Sequence, residues 1–293
     1  MPARTAKPAR RSAKPRGRTA KAARGGAFMR RAARFMRRAV RVGRRVRRWW
    51  RPAPRPAKVV MGILLILIVW LLCNWIYQVV RKPSELFFPV SGTLNKAPAA
   101  TWAEYGSIFR KYSTPVITAD FLAAIAQVEG SGNPVARTYW RWSWSSQPFE
   151  VYRPASSAVG MYQITDGNFA EARRYCIRDH AVVEDGAWNN WHSCWFNSLY
   201  ARVIPSHAVE LTSAYLDRSV ANIIERHRIG GATIQHKQTL AALIHLCGAG
   251  AGDEFARRGF RLAEGQRCGD HQAHVYLERV NAMKGVFDQL ERQ

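Results

Sequence analysis

The sequence predicts a mostly α-helical domain that follows one transmembrane helix and a basic tail. Three observations lead to this prediction. Apolar side chains recur every three or four residues through most of the chain after residue 100. One uncharged apolar run covers Val59–Val80, and basic residues crowd the segment before it. Strand patterning is confined to Arg137–Tyr152.

Residues 1–57 are predicted to form a cytoplasmic tail. The first 58 residues hold 22 of the 45 Lys and Arg residues and none of the 20 Asp and Glu residues, so the rest of the chain is nearly neutral. Residues 1–27 have too few large apolar side chains to form a core. Phe28–Trp50 alternates apolar and Arg residues at helical spacing, which is typical of an amphipathic helix on anionic lipid. Such a tail also suits nucleic acid, but the adjacent membrane favours lipid as its partner.

Residues 58–81 are predicted to be a transmembrane helix. The 22 uncharged residues Val59–Val80 would extend about 33 Å as a helix, enough for a hydrocarbon core of about 30 Å. The run is too long for a cleaved signal peptide, and no small-residue cleavage site follows it. The basic flank keeps the N-terminus in the cytoplasm and exports the remainder.

Cysteine usage agrees with export. Cys73 lies in the predicted span, and four cysteines follow it, an even number that suggests two disulfides in an oxidising compartment. We predict Cys176–Cys194 and Cys247–Cys268, because each pair closes a short loop, although three pairings are open. The Cys and His spacings match no common zinc module, so no metal and no other cofactor is predicted.

Residues 82–117 are predicted to be a linker and a packing helix, which Thr101–Glu104 would open as a capping box. Residues 118–293 then form one domain, and Asp166 is interpreted as a helix N-cap. The helices predicted in this domain are Asp120–Glu129, Asp166–Asp179, His207–Arg228, Gln235–Cys247 and His271–Leu290.

Glu129, at the end of the first of these helices, is the most informative acid in the sequence. Leu122, Ile125 and Glu129 lie three and four residues apart, which places the carboxyl beside the apolar face. Gly130 and Pro134 end the helix there. Partial burial and the negative end of the helix dipole both disfavour a charged carboxylate. Such an acid suits proton donation to a glycosidic oxygen, whereas the alternative is a helix-end Glu that faces water.

Two segments in order resemble the soluble lytic transglycosylase family. Glu129–Pro134, E-G-S-G-N-P, is similar to an E-S-x-F-N-P-like string that the catalytic Glu opens. Ser157–Ile164, S-A-V-G-M-Y-Q-I, is similar to a G-A-x-G-L-M-Q-I-like string, and Leu246–Gly252 loosely matches an A-Y-N-A-G-P-G-like string. The resemblance covers roughly Ala119–Phe287. The chain departs from the family pattern at five positions. Gly130 and Gly132 replace a Ser and a bulky residue, Ser157 replaces a Gly, Cys247 replaces a Tyr, and Gly248 replaces an Asn.

This resemblance implies a lysozyme-like fold and cleavage of peptidoglycan glycan strands in the periplasm of a bacterium, from a single-pass inner-membrane anchor. Glu129 would act as acid and then base, giving 1,6-anhydro-N-acetylmuramic acid ends. The implied substrate-binding residues are Gln163, Tyr162, Ser157, Met161 and Tyr276, the last of which is equally well a core residue.

Trp142 joins this set for a different reason. Trp140, Trp142 and Trp144 alternate, so a strand would project them to one face as a platform for sugar rings. A hydrophobic cover over the core is the alternative.

Three further hypotheses remain open at this stage. The domain could hold glycan without cutting it, could hydrolyse it as a muramidase, or could serve as an adaptor that recruits nucleic acid through the tail. Local wall opening for a secretion or conjugation machine is the expected use, and nucleic acid is not an expected partner.

Overall fold

The computed structural model describes residues 54–87, 90–187, 189–190 and 193–293. The predicted tail, including its Phe28–Trp50 helix, lies outside them except for residues 54–57. The chain divides into two units, Met1–Trp70 and Leu71–Gln293. What is described of the first unit is helical from Arg55 onward.

The first helix of the described residues, α1 (Arg55–Arg81), is long and apolar enough to cross a membrane. Its most apolar 18 residues have a mean hydropathy of 2.7, and only 6% of that window is buried within the protein. The helix begins three residues before the predicted span of 58–81. Pro56 fits its first turn, where a backbone N–H has no helical partner.

The described part of the chain is mostly helical, as predicted. The helices after α1 are α2 (Pro98–Lys111), α3 (Ala119–Gly130), α4 (Asp166–Ala172), α5 (Pro205–Arg226), α6 (Ile234–Cys247), α7 (Ala249–Arg257) and α8 (Ala273–Glu291). Short 3₁₀ helices cover Pro83–Phe87, Ser91–Leu94 and Trp195–Leu199.

Three small antiparallel hairpins complete the described elements. They pair β1 (Trp140–Trp142) with β2 (Tyr152–Pro154), β3 (Tyr175–Arg178) with β4 (Ala181–Glu184), and β5 (Arg267–Cys268) with β6 (His271–Gln272). Only the first lies near the predicted strand region.

The prediction of a helix over Asp166–Asp179 is wrong in its second half. The aromatic and β-branched residues after Ala172 form the buried strand β3 instead.

Both predicted N-caps are wrong, although α4 starts at Asp166 as predicted. Helix α2 begins at Pro98, and the Thr101 hydroxyl is fully buried and donates to Gln127 Oε1 at 2.7 Å instead of capping. The N-cap of α4 is Thr165, whose side chain accepts from the backbone N–H of Asn168. Asp166 instead forms an ion pair with Arg202 at 2.7 Å.

Helix α3 is the central helix of the domain. Phe121, Leu122 and Ile125 on it are at most 1% exposed, and the alanines at 123, 124 and 126 on its other faces are 0% exposed. It packs against α2 and α8, which contribute the fully buried Phe109 and Phe287. A helix that is apolar all round is stable only inside a core. The position of Glu129 at its end is therefore fixed by the packing of the whole domain.

Both predicted disulfides are confirmed. Cys176–Cys194 and Cys247–Cys268 have Cα–Cα distances of 5.5 and 5.2 Å. The first joins β3 to the start of a 3₁₀ helix, and the second joins the end of α6 to β5. Cys73, on α1, is the one cysteine that remains free.

Candidate active site

Glu129 is the next-to-last residue of α3, and the helix ends in a tight left-handed turn. The backbone N–H of Ser131 donates to Gln127 O at 3.0 Å, and that of Gly132 donates to Ala126 O at 3.2 Å. Ser131 and Gly132 both have positive φ, 51° and 63°. These bonds satisfy the last carbonyls of α3, so the helix end that carries Glu129 has a defined geometry.

The two glycines that depart from the family pattern both lie in close contact with other segments. A Cβ on Gly130 would lie 2.8 Å from the backbone of Met161. A Cβ on Gly132 would lie 2.2 Å from Thr101 Oγ1. A side chain at Gly130 would require movement of the Met161 backbone, and one at Gly132 would displace the Thr101 side chain and strain a residue with φ 63°. The Glu129 helix end therefore rests directly on the segment that contains Met161.

That segment, Gly160–Gln163, is a tight turn between the bridged residues Val159 and Ile164. Gly160 has φ 81°, and a Cβ there would lie 2.4 Å from Arg202 O, so only Gly fits. Gln163 also has positive φ, and its Nε2 donates to Gly160 O at 2.8 Å and Ala136 O at 3.2 Å. The predicted substrate ligand Gln163 thus braces the turn and the loop at Ala136.

A cleft of about 370 Å³ opens beside Glu129. Its walls come from residues 91–95, from the end of α3 and from residues 136–139. Asn133 holds two of these walls together, since its Nδ2 donates to Asn95 Oδ1 at 2.9 Å and also to Ser91 O. Among the described residues that line the cleft, Glu129 is the one carboxylic acid.

Two buried side chains face the Glu129 carboxyl from other helices. His245 Nε2, on α6, lies 3.7 Å from Glu129 Oε1, and these side chains are 9% and 17% exposed. The hydroxyl of Tyr276, on α8, also interacts with the Glu129 carboxylate. No partner among the described residues meets ordinary hydrogen-bond geometry at that hydroxyl. The structure therefore brings the predicted Glu129 and Tyr276 together and adds His245.

Burial changes the protonation behaviour of both neighbours. It is the main cause that raises the pKa of Tyr276 well above the ordinary value, and the nearby Glu129 carboxylate adds to the rise. Burial lowers the pKa of His245, and the opposing effects of the Glu129 charge and a backbone hydrogen bond at Tyr162 are smaller. At neutral pH the carboxyl therefore faces a neutral phenol and a neutral imidazole.

The lowered pKa of His245 predicts a loss of stability in mild acid. Below the ordinary His pKa of about 6.5, the unfolded chain binds a proton that the folded chain binds less well, so the free energy of unfolding falls with pH. His245→Gln should reduce the drop in thermal midpoint between neutral and mildly acidic buffer. A smaller drop remains, because burial also lowers the pKa of His207. Equal drops in wild type and variant would contradict this assignment.

None of the predicted substrate-binding residues is among those that line the cleft beside Glu129. Met161 and Tyr162 are 0% exposed, and the Met161 backbone packs against Gly130, next to Glu129. Ser157 Oγ accepts from the backbone N–H of Asp166 and lines a separate depression next to Lys82. Their roles in substrate binding stay predictions.

Trp142 lies on β1, is 67% exposed and packs on the Tyr152 ring, with a centroid distance of 4.7 Å. Trp144 is fully exposed beyond the end of β1. Trp140 is half-buried, and its indole N–H donates to Glu85 Oε2 at 2.8 Å. Strand β1 is thus too short to hold all three tryptophans of the predicted platform. Only the indoles of Trp142 and Trp144 are open to solvent.

Sequence reasoning missed His245. It follows the buried run Leu240–Ile244 on α6, immediately before the weak third motif. A lone His on an apolar helix carries little signal by itself, and only the packing of α6 against the domain core places it at Glu129.

Comparisons with known proteins give no relative for this chain: no family model matches, and no curated protein or solved structure shows significant similarity.

Proposed function

We propose that the protein is a membrane-anchored lytic transglycosylase with a lysozyme-like domain. It cleaves the β-1,4 bond between N-acetylmuramic acid and N-acetylglucosamine in peptidoglycan. The observation that carries the proposal is the placement of Glu129. It is the one acid among the described residues of an open cleft, and it projects from the rigid end of the central helix.

The chemistry requires a single carboxyl group. Glu129 donates its proton to the glycosidic oxygen, the bond from that oxygen to the anomeric carbon breaks, and an oxocarbenium-like centre develops with help from the neighbouring acetamido oxygen. Glu129 then removes the proton of the 6-hydroxyl of the same muramic ring. That oxygen bonds to the anomeric carbon and closes the 1,6-anhydro ring, so no water is consumed.

The absence of a second acid among the described lining residues favours this reaction over simple hydrolysis. Glycosidases that hydrolyse by the common route place two carboxyl groups on either side of the scissile bond. The cleft beside Glu129 offers Arg137, Asn95 and tyrosine and serine side chains instead. These groups bind sugar hydroxyls and acetamido groups but do not act as a second carboxylate.

Tyr276 and His245 are positioning residues in this proposal. Both remain neutral at neutral pH and limit the rotamers open to the Glu129 side chain. Gln163 fixes the turn behind the helix end and the Ala136 edge of the cleft. Its amide group therefore fixes the shape of the cleft wall. This role is separate from any direct contact that the amide makes with substrate.

The cellular setting follows from the same proposal. Helix α1 anchors the chain in a bacterial inner membrane with the N-terminus in the cytoplasm, and the domain acts in the periplasm. The two disulfides agree with an oxidising compartment. The Arg-rich tail binds anionic lipid, and the natural context is wall opening for an envelope-spanning secretion or conjugation machine.

Digestion of purified sacculi by the full chain in detergent micelles tests the proposal. Release of muropeptides with 1,6-anhydro ends, read by mass spectrometry, is the expected result. Reducing ends would identify a muramidase. Sacculus binding without release would identify a glycan-binding scaffold and refute the enzymatic proposal.

A further inference from the structure

The β1–β2 hairpin is attached to the last two turns of α1 by polar contacts. Asn74 Nδ2 donates to Tyr152 O, and Gln78 Nε2 donates to Phe149 O, both at 2.7 Å. Arg81 forms an ion pair with Glu150. Asn74 and Gln78 are at most 5% exposed, although most of α1 is exposed. The hairpin backbone thus accepts a hydrogen bond from each of two amide groups that would otherwise be costly in a lipid-facing helix.

A buried charged cluster fixes the start of the hairpin to the end of α1. Glu85 is fully buried and lies 3.2 Å from Lys82 and 3.5 Å from Arg137. The indole N–H of Trp140 also donates to Glu85. Since an acid with several buried partners is hard to displace, the hairpin and the end of α1 move together.

The length of the apolar run determines the depth of this attachment. If the bilayer surface lay at Asn74, only the 15 residues Val59–Cys73 would remain to cross it. They measure about 22 Å as a helix, which is short of the hydrocarbon core of about 30 Å. Most of the run to Val80 is needed to cross. Asn74 and Gln78 therefore lie about 9 and about 3 Å inside the end of the span, and the hairpin that binds both extends from there into the headgroup layer.

The exposed side chains of the hairpin suit this location. The exposed fractions of Tyr139 and Trp142 are 64% and 67%, and Trp144 is fully exposed. Tyr and Trp side chains favour the headgroup level of a bilayer, where one part of the ring is apolar and the polar group stays hydrated. Arg141, on the same strand, is exposed and its charge complements lipid phosphate. Between hairpin and helix, Leu71, Trp75 and Trp140 line a largely apolar cavity of about 300 Å³.

We infer that the β1–β2 hairpin inserts into the headgroup region of the leaflet at the C-terminal end of α1. The partner that the hairpin contacts is membrane lipid, and this inference rests on the proposed membrane span. Tyr139 lines both the cavity at α1 and the cleft of Glu129. The cleft is consequently held beside the bilayer, and the enzyme acts on glycan close to the membrane surface.

Depth-dependent fluorescence quenching of the full chain tests this inference. The protein is reconstituted in vesicles of phosphatidylcholine and phosphatidylglycerol that carry nitroxide quenchers at the headgroup or deep in the acyl chain. An environment-sensitive fluorophore is attached to Ser143→Cys in a Cys73→Ala background. Gln289→Cys, on the exposed side of α8, is the control, and native Cys73 reports on the span itself.

The expected result is loss of most of the Ser143→Cys emission to headgroup quenchers, with almost none lost at Gln289→Cys. Changing Trp142 and Trp144 together to Ser should reduce the quenching, whereas changing both to Tyr should retain it. A water-exposed label at Ser143→Cys with Cys73 in the acyl region would overturn the inference and leave the span intact. Water exposure at both sites would refute the span as well, and unchanged quenching in the Ser variant would refute anchoring by the aromatic side chains.

Discussion

Replacing Glu129 with Gln is expected to lower the rate of glycan cleavage by about 10³-fold, within the range that general acid–base catalysis contributes. The amide keeps the size of the side chain and its place at the end of α3, but it neither donates a proton to the leaving oxygen nor accepts one from the 6-hydroxyl. Binding to sacculi should be retained. The measurement is the initial rate of muropeptide release at equal amounts of sacculus-bound protein.

Glu225→Gln is the matched control for this variant. Glu225 is also the next-to-last residue of its helix, α5, but its side chain is exposed. Removal of one negative charge from a helix end should therefore leave the rate unchanged. A Glu129→Gln variant that retained wild-type release while folding normally would show that the acid lies elsewhere.

Gly130→Ser is expected to destabilise the protein by about 2 kcal/mol and to impair cleavage, although Ser is the residue that the resembling family has at this position. The new Cβ would meet the Met161 backbone at 2.8 Å, and a backbone cannot move aside as a flexible side chain can. The turn at Met161 or the end of α3 must shift, and Glu129 shifts with it. Chemical denaturation and the release assay measure the two effects.

Gly167→Ser provides the comparison for that variant. Gly167 lies in α4 with nothing within 4 Å of an added Cβ, so its stability should change by no more than about 0.5 kcal/mol. If Gly130→Ser were as stable and as active as Gly167→Ser, the close approach between the two segments would be wrong. The departures from the family pattern would then need another explanation.

Local patterning predicted the helices well because each buried face repeats at the helical period. The span at α1, the central helix α3 and both disulfide pairings followed from apolar runs and short loops. The strand β3 was missed because Tyr175–Ile177 continues an apolar pattern that also fits a helix, and its pairing with β4 is a tertiary choice. The N-caps failed for a similar reason, since Thr101 finds a partner on α3 that no local motif reveals.

The candidate site was predictable only where one segment carries it. Glu129 could be identified from its own helix and the glycines after it. His245 reaches Glu129 from α6, more than a hundred residues away, and no spacing rule connects them. The glycines at 130 and 132 appeared in the sequence as departures from a pattern, whereas the structure gives each a steric reason. The hairpin's aromatic residues were interpreted as a sugar platform because its attachment to α1 is not visible in the sequence.

The most direct test of the central proposal is digestion of sacculi by the wild-type chain in ¹⁸O-labelled water. If the 6-hydroxyl of the muramic ring closes the reaction, the glycan ends carry the mass of the anhydro sugar and acquire no ¹⁸O. Incorporation of one ¹⁸O at each new end would mean that water attacks the anomeric carbon, and it would contradict single-carboxyl transglycosylation by Glu129.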